Sequence, residues 1–185
     1  MIMSTNILSD YSKEDFKYIV TPSAEAVSDE ILNSLDKRYR CLSLIGSYGT
    51  GKSSFLYALG KSILGEAEYF PKLASSNSIV VKSIGQYESL LDQLGKALKT
   101  KAELDSIFKA LKEIDQKSNR VYILLDEFGK LIEFSLKNNP KKETYFFQQI
   151  AEYINNELNN TILVSTLHQS IESYTQNINS VDVAE

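Results

Sequence analysis

One glycine-rich loop, set between an apolar run and the start of a helix, constrains the fold more than any other feature. The loop at 46–53 reads Gly-Ser-Tyr-Gly-Thr-Gly-Lys-Ser and fits the pattern G-x-x-x-x-G-K-[ST] at every fixed position. It follows the apolar residues 41–45, which predict a buried strand, and precedes 54–59, which predict a helix. A strand, loop and helix in this order form the context that a phosphate-binding loop requires.

Each residue type in the loop has a role in binding a nucleoside triphosphate. Glycines let the backbone bend around an anion, and the helix that follows adds unpaired amides and a positive dipole end. We expect Lys52 to contact the β- and γ-phosphates and Ser53 to place its hydroxyl on Mg²⁺. Packing or solvent exposure is expected for Tyr48, which occupies a variable position. The other residues of the predicted phosphate cradle are Gly46, Ser47, Gly49, Thr50, Gly51 and Ser54.

A second motif supplies acidic groups. Residues 121–127 read Val-Tyr-Ile-Leu-Leu-Asp-Glu, which predicts a buried parallel strand that ends in two carboxylates. Downstream of a phosphate-binding loop, this is a Walker B pattern. We expect Asp126 to hold Mg²⁺, directly or through water, and Glu127 to orient the attacking water or accept its proton. The alternative is a strand that simply ends in acidic loop residues.

The periodicity along the chain predicts an α/β protein. Apolar runs indicate strands at 41–45, 78–82, 121–127 and 161–167, and helical stripes lie between them. Strands that alternate with helices imply a mostly parallel sheet covered by helices on both faces. Together with the glycine-rich loop, this leads us to expect a three-layer αβα P-loop NTPase fold. The nucleotide should lie at the carboxyl edge of that sheet. We expect residues 1–36 to form a helical segment packed on a core at 37–185, with a solvated basic turn at 137–142.

Composition limits the remaining classes. The chain has 185 residues and one cysteine, so it is long enough for one domain and cannot form an intrachain disulfide. It lacks a secretory signal pattern and a membrane-spanning apolar run, which leads us to expect a cytoplasmic protein with no membrane partner. A formal net charge of −4 argues against nonspecific DNA binding, so contact with nucleic acid is expected only indirectly.

These motifs resemble those of the AAA+ and STAND-like P-loop ATPases. Residues 46–55 and 125–133 look closer still to large prokaryotic phage-defence ATPases of the BREX type, and 167–174 resembles the segment after their fourth strand. The resemblance implies ATP and Mg²⁺ as cofactors. It also implies that a polar residue near the end of the fourth strand senses the γ-phosphate. Thr166 is the candidate by position, with His168 and Gln169 as rivals.

The chain departs from that family in its basic residues. Relatives continue into a fifth strand, a helical lid with a sensor arginine, and an arginine finger that acts on a neighbouring subunit. No lysine or arginine follows Lys142, and the three arginines, Arg38, Arg40 and Arg120, all precede predicted strands. The sequence therefore leads us to expect a core cut off before the lid, with hydrolysis that is weak or depends on a partner. That partner would be a second copy or another subunit of a larger complex.

Three functions remain open at this stage. The first is an ATPase module that couples Mg-ATP hydrolysis to a conformational change in a larger assembly, of the kind that acts in anti-phage defence. The second is a nucleotide-dependent switch or scaffold with negligible hydrolysis. The third is a kinase for a small acceptor, which ranks last because no arginine lies in a plausible lid. The absence of an Asn-Lys-x-Asp guanine-reading motif favours ATP over GTP.

Overall fold

Four apolar segments form a single parallel sheet, as the sequence predicts. The computed structural model describes residues 16–37 and 39–174. The strands are β1 (Cys41–Ile45), β2 (Ser78–Ile84), β3 (Arg120–Asp126) and β4 (Thr161–Leu167), in the spatial order β1-β4-β3-β2. Every neighbouring pair is parallel. The strand before the glycine-rich loop is therefore separated from the acidic strand by one strand, β4.

Three of the helices in the described residues begin at a side-chain cap. Within the described residues they are α1 (Pro22–Asn33), α2 (Lys52–Ile63), α3 (Leu90–Leu98), α4 (Leu104–Lys117), α5 (Gly129–Asn138) and α6 (Pro140–Asn156), with a 3-10 turn at Pro71–Leu73. The side chains of Thr21, Ser89 and Asn139 accept hydrogen bonds from amides in the first turns of α1, α3 and α6. No helix in this part of the chain is long and apolar enough to cross a bilayer.

Alternate residues of the central strands face two apolar cores. Tyr122 and Leu124 of β3 pack with α1 and α2 on one face of the sheet. Ile123 and Leu125 pack with α3, α4 and α6 on the other face. All four side chains are fully buried, because a central parallel strand has helices on both faces. The three-layer αβα prediction is confirmed.

The structure adds one helix that the periodicity did not reveal. Helix α5 begins at Gly129, three residues after the end of β3, and α6 begins at Pro140. Only Asn139 separates the two helices, so the basic segment predicted as a turn at 137–142 is mostly helical. The proposed boundary at residue 36 stays a prediction, since residues 1–15 and Arg38 lie outside the described residues.

Two polar side chains fasten the ends of the sheet that lie opposite the acidic motif. Arg40 donates from its guanidinium to the carbonyl oxygens of Leu158, at 2.6 Å, and Asn155, at 3.1 Å. Asp115, which is 2% exposed, accepts from the amide of Asn160 at 2.8 Å and from the hydroxyl of Thr161 at 2.7 Å. These bonds fix where β1 and β4 begin.

Replacing Asp115 with alanine should lower the free energy of unfolding by about 2–4 kcal/mol, because buried donors at the start of β4 would lose their acceptor. Asp115→Asn keeps one acceptor oxygen and should cost less. Glu113→Ala, at an exposed position of the same helix, should stay within about 0.5 kcal/mol of the wild type. Urea denaturation measures all three values. Equal losses for Asp115→Ala and Glu113→Ala would contradict this account.

Candidate nucleotide-binding site

The carboxyl ends of the strands are joined by a row of backbone hydrogen bonds. The amide of Gly46, just after β1, donates to the carbonyl of Leu167 at the end of β4 over 3.1 Å. On the other side of β4, the amide of Phe128 donates to the carbonyl of Thr166 over 3.0 Å. The start of the glycine-rich loop and the turn after the acidic motif are therefore fastened to the same strand end.

The glycine-rich loop has the backbone that its sequence predicts. Gly49 and Gly51 adopt φ angles of +79° and +83°, in the left-handed region that favours glycine. Helix α2 starts at Lys52 with no side chain capping it, so its amino end faces the loop. Ser53 and Ser54 lie in the first turn of α2, half-buried. This is the geometry of an anion site at a helix amino end.

The amine of Lys52 lies over the loop. It donates to the carbonyl oxygens of Gly46, at 2.5 Å, and Ser47, at 2.9 Å, while the hydroxyl of Thr50 also donates to Ser47. Burial lowers the pKa of Lys52, and the negative charges of Asp126 and Glu127 oppose that shift. The amine is thus bonded to the loop itself and lies within the electrostatic influence of the two acids.

Thr166 holds the acidic pair in place. Its hydroxyl donates to Oδ1 of Asp126 over 2.5 Å and accepts from the amide of Glu127 over 3.0 Å. Asp126 and Thr166 are 2% and 1% exposed, so this link is shielded from water. Thr166 therefore orients the acids, and its predicted role as a γ-phosphate sensor stays a prediction.

Glu127 has an unusual backbone conformation. Its φ angle is +56°, in a region that residues with side chains rarely adopt. A neighbouring strand makes room for it, because a Cβ atom on Gly85 would lie 2.3 Å from the carbonyl oxygen of Glu127. The amide of Gly85 also donates to the carbonyl of Asp126 over 2.7 Å. Only glycine allows the chain after β2 to approach the acidic turn this closely.

The carboxylate of Glu127 lies beside two side chains. Its Oε2 is 3.1 Å from Nε2 of His168 and 3.8 Å from the amine of Lys130. The imidazole of His168 also stacks on the ring of Tyr48, with the ring centroids 3.6 Å apart and an interplanar angle of 20°. Tyr48 is 78% exposed, so one face of its ring packs on His168 while most of the side chain remains open to solvent. Gln169 is half-buried.

A cavity of about 500 Å³ opens beside the loop. Tyr18, Thr21 and Val27 form one wall, and the end of β1 with the first turn of α2 forms the other. Its volume lies within the range that small-molecule sites occupy, about 300–1,000 Å³. The cavity continues from the phosphate-binding loop toward the segment before α1.

The donor set suits Mg²⁺ held jointly with a nucleotide. In the described part of the chain, no group of three or more His, Cys, Asp and Glu side chains is gathered as a metal site. The hydroxyl of Ser53 and the carboxylate of Asp126 are hard oxygen ligands, which Mg²⁺ prefers alongside phosphate oxygens and water. These residues fit a magnesium ion that arrives with its nucleotide.

Comparisons with known proteins bear on the fold. No known protein family and no curated protein matches the sequence. Among solved structures, the chain is similar to the Walker-type ATPase PABY2304 of Pyrococcus abyssi, with a TM-score of 0.51 and 16% identity. The match covers 78% of this chain and 44% of that ATPase, so the chain spans less than half its length. The chain has a P-loop ATPase fold. At this identity the similarity concerns the fold alone.

Sequence reasoning missed two residues that shape the acidic turn. Gly85 stands directly after a strand, and a glycine in that place is a signal of close backbone approach. Tyr174 is 5% exposed and lies against the start of α5, where a Cβ atom on Gly129 would come within 2.1 Å of its hydroxyl. Nothing in the sequence pattern pairs positions 129 and 174.

Alanine at position 85 should push the backbone of Glu127 out of place and lower the free energy of unfolding by about 1–3 kcal/mol. Gly60→Ala is the matched control, because the nearest atom to its Cβ would be the flexible end of Lys82 at 3.0 Å. We expect that control to cost clearly less in thermal or urea unfolding. A larger loss for Gly60→Ala than for Gly85→Ala would refute the close approach as the reason for glycine.

Proposed function

We propose that this chain is an ATP-binding module that hydrolyses Mg-ATP and couples hydrolysis to a conformational change in a larger assembly. One observation supports it above all: a phosphate-binding loop carrying Lys52 and the acidic pair Asp126 and Glu127 lie at one sheet edge, one strand apart. Phosphoryl transfer needs positioning and charge neutralisation more than covalent help. This edge offers both.

Each residue then has a separate task. The loop amides and Lys52 bind the phosphates, and Ser53 and Asp126 hold the magnesium ion. When bound, that ion neutralises charge on the phosphates. Glu127 orients water and accepts its proton, since its carboxylate is partly exposed at the open side of the site. We place the base and ribose in the cavity walled by Tyr18, Thr21 and Val27, because it adjoins the loop.

Hydrolysis by the chain alone should be slow. Arg40 is engaged by backbone carbonyls and Arg120 begins β3, at the end of the strand away from Asp126. Within the described ranges, no arginine lies at the phosphate-binding edge. A missing arginine finger costs about 10³–10⁵ in turnover in related enzymes. We therefore propose that a second copy or another subunit completes the site.

We infer the kind of assembly from two stretches of the sequence. The stretch 125–133, together with 46–55, resembles ATPases of BREX-type phage defence, which favours a cytoplasmic defence complex. The competing function is a switch that binds ATP and rarely hydrolyses it. It is favoured by the lack of an arginine near the loop in the described chain. A kinase for a small acceptor has no observation in its favour.

Lys52→Ala should weaken Mg-ATP binding at least about 100-fold, because a charge-assisted contact to the phosphates is lost. Glu127→Gln should retain binding and lower turnover by about 10²–10⁴-fold, because the base is removed. Isothermal titration calorimetry and a phosphate-release assay measure the two effects.

The matched controls lie on α2, which also carries Lys52, and on α5, which follows the turn that carries Glu127. Lys61→Ala, near the end of α2, and Glu133→Gln, exposed on α5, should both behave like the wild type. Tight binding with equal, negligible turnover in the wild type and Glu127→Gln would favour the switch instead. Loss of turnover in Glu133→Gln would shift the role of base away from Glu127.

Turnover per molecule should rise with protein concentration if a second copy completes the site. The measurement is Mg-dependent phosphate release across a concentration series, with Lys52→Ala as the blank. A flat, blank-level rate with ATP still bound would point to a different subunit as the source of the missing arginine.

A further inference from the structure

The one histidine of the chain contacts both halves of the site. His168 follows β4 directly, and its side chain is 16% exposed. Its Nε2 is 3.1 Å from Oε2 of Glu127, and its ring stacks on Tyr48 of the phosphate-binding loop. No other side chain in the described residues is shown touching both the loop and the acidic turn.

The chemistry of the pair fixes the direction of the hydrogen bond. An ionised carboxylate can only accept a hydrogen bond. The proton therefore lies on Nε2 of His168, and this N–H donates the hydrogen bond to Oε2 of Glu127. Nδ1 is buried and has no hydrogen-bond partner in the described structure. A proton on Nδ1 would be left without an acceptor, which favours the Nε2–H tautomer.

This hydrogen bond is the shorter of two contacts that restrict the long side chain of Glu127, the other being the ion pair with Lys130. Glu127 reaches the site through three rotatable bonds, and its backbone is already fixed by φ +56° and by the bond to Thr166. His168 and Lys130 both contact Oε2, which leaves the other carboxylate oxygen, Oε1, for the attacking water in the proposed reaction. Small errors in placing a catalytic group cost rate, because reaction requires a near-attack geometry.

Tyr48 connects this arrangement to the phosphates. It lies between Ser47, whose carbonyl accepts from Lys52, and Gly49, whose φ is +79°. Its ring covers one face of the imidazole, so the position of the loop and the position of His168 depend on each other. A loop that tightens on phosphates would hold the imidazole, and through it Glu127, in one orientation.

We propose that His168 is the positioning residue for Glu127, and that its stacking on Tyr48 links the phosphate-binding loop to the carboxylate that acts on water. This assigns His168 a contact with the base rather than with the γ-phosphate. The inference rests on the proposed hydrolysis. Its test therefore has one arm that needs no turnover.

The first arm is NMR spectroscopy of the imidazole. Because the chain contains a single histidine, its ring signals belong to His168 without further assignment. We expect nitrogen shifts of the Nε2–H tautomer, a change at Nε2 in Glu127→Gln, and ring-current shifts that vanish in Tyr48→Ala and persist in Tyr48→Phe. An Nε2 signal that is unchanged in Glu127→Gln, or no ring-current shift, would overturn the inference while leaving hydrolysis untouched.

The second arm is kinetic. His168→Ala should lower turnover about 10–100-fold while the ATP dissociation constant stays within about threefold, because an oriented base is lost and the phosphate contacts remain. His168→Gln keeps an N–H donor at a similar reach and should recover part of that loss. Tyr48→Ala should lower turnover in the same direction, and Tyr48→Phe, which keeps the stacked ring, should recover most of that loss.

The outcomes separate the two claims. Wild-type turnover no higher than that of Glu127→Gln would refute the proposed hydrolysis, and with it the role of His168 in rate. Turnover in His168→Ala that equals or exceeds the wild type, with Glu127→Gln inactive, would refute the positioning role alone. A higher ATP dissociation constant in His168→Ala, with turnover unchanged, would mean that His168 contacts the nucleotide instead.

Discussion

The site depends on the place of β4 between β1 and β3. Strand β4 lies between the strand that precedes the glycine-rich loop and the strand that carries the acids. The carboxyl end of β4 is hydrogen-bonded to both the loop and the acidic turn. Leu167 accepts from the start of the loop, while Thr166 holds Asp126 and the amide of Glu127. Backbone and hydroxyl groups of two adjacent residues thus set the spacing between positive and negative halves of the site.

The acidic turn is held in its conformation by contacts that lie outside the motif. Glu127 adopts a left-handed backbone conformation that costs on the order of 1–3 kcal/mol for a residue with a side chain. The surroundings compensate through the hydroxyl of Thr166, the close passage of Gly85 and the packing of Tyr174 against Gly129. Strain of this kind persists only where neighbours over-determine the conformation.

The sequence predicted the layers and the motifs because both rest on local patterns. The four strands, the αβα order and the places of Lys52, Ser53, Asp126 and Glu127 follow from apolar periodicity and from a fixed spacing of residue types. Helix α5 was not predicted because it begins within three residues of β3, directly after the acidic motif that the sequence pattern places at the end of a strand. The contacts of His168 were not predicted because they are distant in the chain. Glu127 lies 41 positions and Tyr48 lies 120 positions before it. No local pattern encodes such a meeting.

Tyr48 also has a spectroscopic consequence. The chain contains eleven tyrosines and no tryptophan, so an indole placed at position 48 would be its only strong fluorophore. That position combines wide exposure with a stacked aromatic neighbour, two conditions that make emission sensitive to small movements. The glycine-rich loop therefore has a natural place for a single fluorescent probe of the contact between residue 48 and His168.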